Sequence, residues 1–170
     1  MASLRALTFT ALLVAAAVLQ VTLFPELAFE GVVPNLVLLV VVAAALTRGP
    51  DFAMMLGFFG GVLIDLSPPA DHIAGRWALA LVVAGYLAGR VRQDAGHSAL
   101  ASVLTVAATS FVATSIFALT GLVLGDESVS VGRALQVIPI NIGYDVLLTP
   151  FVLPLMMRVF RNTAPEGRFA

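Results

Sequence analysis

Apolar residues fill this chain in six blocks, divided by short polar breaks that hold prolines, glycines and charges. The first block runs from Leu4 to Phe24 and is closed by Pro25. The second covers Val32 to Leu46, with Pro34 placed for a first helical turn, where its missing N–H costs nothing. The turn Thr47-Arg48-Gly49-Pro50-Asp51 leads to the third, Phe52 to Leu66; the fourth covers Trp77 to Gly89. A fifth extends from Ser98 to about Gly125 and is long enough to tilt or protrude. The sixth, Ala134 to Phe160, contains Pro139, Pro150 and Pro154, which should interrupt and kink it while neighbours satisfy the freed backbone groups. Blocks two to four are short: fifteen residues reach about 22 Å as a helix, against roughly 30 Å of hydrocarbon. A thinned or tightly packed bundle, or a re-entrant hairpin of blocks two and three, would both fit. Charged turns at both ends favour six spanning helices.

Composition makes lipid the expected solvent. The 170 residues are 60% hydrophobic and only 11% charged, where soluble domains carry roughly 25% charge. The expectation is an all-α polytopic membrane protein, one transmembrane domain over residues 1–170. A net charge of −1 and the lack of a basic run argue against a nucleic-acid partner. Without cysteine, disulfides and thiolate metal sites are excluded, and His72 and His97 stand too far apart to form a ligand pair. Arg5 precedes the first block as in a secretory signal, but that block exceeds the roughly 7–15 residues of a signal core and no small-residue cleavage site follows. It reads as a retained membrane helix. With six spans, Arg5, Arg48, Arg90, Arg92, Arg158, Arg161 and Arg168 fall on one side and only Arg76 and Arg133 on the other. The excess of arginine marks the cytoplasmic side, so both termini are expected there, in the plasma (inner) membrane.

Small residues four apart let helices approach closely in lipid. Gly57 and Gly61, Gly85 and Gly89, and Gly121 and Gly125 have this spacing, and Ala11 and Ala15 repeat it more weakly. Packing inside the bundle is the plainer reading, a contact with another membrane protein the sharper one. Asp65 shares a helical stripe with Gly57 and Gly61; it either caps the next segment, pairs with Arg76, or faces a ligand or partner. Asn141, Asp145 and Thr149 recur at every fourth position, with Asp145 about 16 Å into its helix and so near the membrane midplane. A carboxylate there is costly and must be satisfied, by Asn141 or by hydroxyls of the fifth helix, where Ser98, Ser102, Thr105 and Thr109 form a stripe. Asp65, Arg76, Trp77, Asn141 and Asp145 are the candidates for a polar pocket. No Ser/His/Asp group, paired carboxylates or metal cluster stands out, Asp71 and His72 being merely loop neighbours, so neither catalysis nor a cofactor is expected.

Several of these segments carry a family likeness. Pro34-Asn35-Leu36, Leu46-Thr47-Arg48-Gly49-Pro50, the run from Gly57 to Leu66, Leu79 to Gly89, Asn141, Pro150 and Leu153-Pro154-Leu155 resemble the rod shape-determining MreD family of bacterial cell-wall elongation. Asp145 after Asn141, and Ser67-Pro68-Pro69-Ala70-Asp71, depart from that pattern. The resemblance implies a non-enzymatic membrane scaffold that maintains cell shape by linking MreC to peptidoglycan synthesis. Its further implied partners are RodA, a class B penicillin-binding protein and MreB. It also implies a fold similar to the S-components of energy-coupling-factor transporters, and with it an alternative: a membrane protein that binds a small, vitamin-like molecule. A binder needs convergent polar groups, whereas a scaffold needs exposed apolar or small-residue faces. The second requirement is the better met.

Overall fold

The computed structural model describes residues 2–68, 72–92, 98–126 and 129–163, with the side chains of residues 2–5 and 27 excepted. Asp71, His97, Glu127, Ser128, Arg168 and the rest of the tail from 164 lie outside the described residues, as does the side chain of Arg5. Among the described residues there are six α-helices: α1 Ala2–Thr22, α2 Leu36–Arg48, α3 Pro50–Asp65, α4 Arg76–Arg90, α5 Ala99–Val123 and α6 Val131–Asn162. A 3-10 turn, Phe24–Leu27, follows α1, with Pro25 in its first turn.

Among the described residues, three segments are long and apolar enough to cross a membrane: Ala6–Glu26, Ala99–Val123 and Val131–Asn162. Phe111 and Leu104 of α5, and Leu147, Phe151 and Leu155 of α6, stand exposed on them. The other helices are shorter, about 20 Å for α2, 24 Å for α3 and 22 Å for α4.

The shortest of these is the axis of the bundle. Every residue of α2 from Leu36 to Leu46 is buried, and α2 touches each of the other five helices. It starts at Leu36, later than its apolar run suggests. Pro34 disfavours helical backbone at Val33, and Asn35 takes the N-cap position, its Oδ1 accepting the Leu38 N–H at 2.9 Å. Pro34 therefore lies outside the helix rather than in its first turn. At the other end Gly49, with φ +97°, closes α2 and opens α3 as a single-residue joint, and Pro50 occupies the first position of α3.

α3 and α4 form the most extensive helix pair, and glycine makes it possible. A Cβ on Gly57 would lie 2.5 Å from the Leu81 carbonyl oxygen, and one on Gly61 would overlap the Ala78 backbone. From the other side, a Cβ on Gly85 would meet the Ala53 carbonyl at 2.9 Å, and one on Gly89 would overlap Pro50. The two glycine pairs thus interlock along one antiparallel seam, where dispersion between close backbones holds the helices together.

Contrary to the expectation of an interruption, α6 is helical throughout its 32 residues, with Pro139, Pro150 and Pro154 inside it. All three prolines stand on its exposed side, so their rings intrude on no neighbouring helix.

Candidate functional site

A helix begins with N–H groups that have no partner within it. In water such groups are hydrated; at the buried start of α2 they are satisfied by side chains. Asp145, fully buried on α6, accepts the Asn35 N–H through Oδ1 at 2.8 Å. Gln20 of α1 accepts the Val37 N–H through Oε1 at 3.3 Å. With the Asn35 cap, three acceptors, two of them from other helices, serve one helix start, where the dipole also favours negative charge.

The second oxygen of Asp145 is held equally firmly. Ser110 of α5 donates its hydroxyl to Oδ2 at 2.6 Å, and Asn141 donates from Nδ2 at 3.0 Å. Asn141 also reaches Ser110 Oγ at 3.2 Å and Thr114 Oγ1 at 3.3 Å. Thr149 returns its hydroxyl to the Asp145 carbonyl at 2.7 Å. Asn141 is therefore a partner of Asp145, as its spacing suggests, but the hydroxyl stripe is a different one. Thr105 and Thr109 donate to carbonyls of their own helix, and Ser98 caps the start of α5. How α5 crosses α6 brings Ser110 to Asp145, and Thr114 to Asn141, instead. Gln20 and Ser110 escape a reading based on spacing; for Gln20 the available signal was a lone amide inside an apolar block.

Asp65 repeats the device at the other short helix. Its carboxylate accepts N–H groups from Gly75 at 2.9 Å, Trp77 at 3.1 Å and Ala78 at 3.1 Å, capping α4 from the end of α3. His72 Nε2 adds a contact to Oδ1 at 3.0 Å. Of the alternatives for Asp65, the cap is present and a pair with Arg76 is not. Arg76 points to α5: Nη1 pairs with Asp126, while Nε and Nη2 donate to the Phe117 carbonyl at 3.2 and 2.7 Å. Its Cζ lies 3.9 Å from the Phe117 ring centre, and Trp77 stacks on that same ring at 4.5 Å. Gly121 leaves room for this guanidinium, since a Cβ there would overlap it. Gly125, at φ +71°, lies in the turn after α5 and meets nothing.

The five pocket candidates divide into two groups. Arg76 and Trp77 meet α5 at Phe117, with Asp65 behind them capping α4; Asn141 and Asp145 meet α5 at Ser110, about 10 Å lower along the axis. None of the five lines the groove between α1 and α3 or the clefts between α5 and α6. Gly57, Gly61, Gly85 and Gly89 are enclosed in the α3–α4 seam. Ala11 and Ala15 face outward from α1, whose buried side is Leu13, Ala16, Ala17 and Gln20.

The arginines also divide between two ends. Arg48 lies over the rings of Phe9 and Phe52, which pack with Phe160, so the starts of α1 and α3 and the ends of α2 and α6 come together. At the opposite end lie Arg76 with Asp126, and Arg133, which donates to the Glu30 carbonyl at 2.7 Å.

A family model described as rod shape-determining protein MreD matches residues 2–159. The chain belongs to the MreD family. No curated protein and no solved structure matches it. As an MreD protein it is a membrane protein of rod shape determination. The segments that carry the MreD likeness coincide with the working joints of the fold. Pro34-Asn35-Leu36 is the capped start of α2, Arg48-Gly49-Pro50 the joint into α3, and Gly57 to Asp65 the seam and the α4 cap.

Proposed function

We propose that this MreD protein acts as a scaffold in the membrane and catalyses nothing, and that it holds the membrane helix of MreC in the groove between α1 and α3. The groove carries the proposal. It has a volume of about 620 Å³ and is lined by Phe9, Leu13, Val14, Met55, Phe59 and Val62 among others. Val14, Met55 and Phe59 are exposed along it, and Ala11 and Ala15 stand beside it on the outer side of α1. In lipid, an open apolar groove flanked by small residues offers a second helix close dispersion contacts. The glycine seam is already filled by α4, which leaves α1 and the free edge of α3 as the docking face. RodA, a class B penicillin-binding protein and MreB join the same complex in this reading. All six helices cross the membrane, with both termini cytoplasmic; the concentration of arginine at the Arg48 end supports that orientation.

The test is co-purification of MreC from native membranes. Val14→Trp with Met55→Trp should fill the groove and lose MreC, whereas Leu79→Trp, at an exposed position of α4, should retain it. Equal retention in folded samples of both would refute the docking site.

A further inference from the structure

Arg158 and Arg161, one turn apart near the end of α6, line a cleft of about 410 Å³ between α5 and α6. Four other arginines are engaged: Arg48 over two phenylalanine rings, Arg76 with Asp126, Arg90 over Tyr86 and Arg133 with the Glu30 carbonyl. Among the described residues, neither Arg158 nor Arg161 has an acceptor or a ring partner. Beyond them the cleft is apolar, walled by Val103, Pro150, Leu153, Pro154 and Met157, and it ends at Thr149. We propose that this cleft binds an anionic phospholipid, with the phosphate on Arg158 and Arg161 and an acyl chain in the trough.

Depth selects the occupant. From Thr149 to Arg161 the helix rises about 18 Å, close to the roughly 15 Å of one leaflet. Charge sits at one end only, where a headgroup would be, and a guanidinium matches phosphate oxygens in bidentate geometry. The first turn of α5, at Ala99 and Ser102, lines the same end and adds the positive end of a helix dipole. Basic clefts between membrane helices are the usual setting for anionic headgroups.

The full chain in neutral detergent is titrated with dioleoyl phosphatidylglycerol, dioleoyl phosphatidylcholine or sodium phosphate, with Tm as the readout. Binding to the folded state raises Tm with ligand concentration. Phosphatidylglycerol should raise Tm, and the other two should not. Arg158→Gln with Arg161→Gln should remove at least four-fifths of that shift, while Arg90→Gln with Arg92→Gln should leave it unchanged. A full shift in the first double variant, equal loss in the second, or an equal shift with phosphate alone would each overturn the site. Should the first variant not fold, a photoactivatable phosphatidylglycerol on the unaltered chain decides: adducts concentrate on Val103, Leu153 and Met157 if the inference is right and spread evenly over the apolar surface if it is wrong. Val103→Trp should reduce phosphatidylglycerol retention and keep MreC. Loss of MreC with lipid retained would assign the cleft to a protein and overturn the lipid.

Discussion

The carboxylate of Asp145 accepts the backbone N–H of Asn35 at 2.8 Å, across 110 residues of sequence. Among the described residues, this bond joins the most buried acid to the start of the most buried helix. The start of α2 is buried away from water, so an acceptor must be brought to it. Asp65 does the same for α4. The two carboxylates are best understood as caps delivered from neighbouring helices.

Replacing Asp145 with leucine should leave the Asn35 N–H, the Ser110 hydroxyl and the Asn141 amide without their acceptor. Each buried unsatisfied group costs about 1–3 kcal/mol, so yield and Tm in detergent should fall sharply. Asp145→Asn keeps one oxygen for Asn35, and its new amide can donate to Ser110 Oγ, so the loss should be far smaller. Equal damage in both variants would show that the negative charge matters, rather than the acceptor.

Arg76→Gln should be much more harmful than Arg133→Gln. Arg76 is buried and serves Asp126 and the Phe117 carbonyl; breaking a buried pair by removing one partner costs about 3–5 kcal/mol. Arg133 is exposed and makes a bond to one surface carbonyl, where substitutions stay within about 0.5 kcal/mol. Thermal unfolding of the two variants side by side checks this difference.

Adding one methyl group should have opposite effects at two glycines. At Gly61 it collides with the Ala78 backbone, and overpacking costs about 1–3 kcal/mol. At Gly143, inside α6 and with nothing within 4 Å, alanine improves helix propensity by about 0.5–1 kcal/mol. Gly61→Ala should therefore lower Tm and Gly143→Ala raise it or leave it unchanged. A tolerated Gly61→Ala would mean that the α3–α4 seam is looser than described.

Single cysteines in this cysteine-free chain should report the orientation. An impermeant maleimide applied to intact cells should label Ala74→Cys and Gly132→Cys, which lie at the Arg76 end, and spare Asp51→Cys and Asn162→Cys. The reverse pattern would invert the protein in the membrane, and labelling of Ala74→Cys alone would break the six-span reading.

Much of the architecture is legible in the order of residues. Six apolar blocks become six helices because apolar length and proline or glycine punctuation are local properties. The joint at Gly49 and Pro50 is local too, since a positive φ and a first-turn proline are properties of those residues themselves. The spacing of the glycines shows that helices approach closely, and Asn141 lies one turn from Asp145 because helical geometry alone puts it there. Partners are another matter. That Gly57 and Gly61 meet α4, that Ser110 rather than Thr109 reaches Asp145, and that Arg76 turns to Phe117 rather than Asp65 depend on crossing angles and rotations between helices. The block beginning at Val32 yields a helix only from Leu36 because Pro34 and the Asn35 cap outweigh continued apolarity. Gln20 and Asp145 become caps only when three helices converge on one helix start. Local chemistry states that buried N–H groups and a buried carboxylate each need a partner; only packing in three dimensions decides that they satisfy one another.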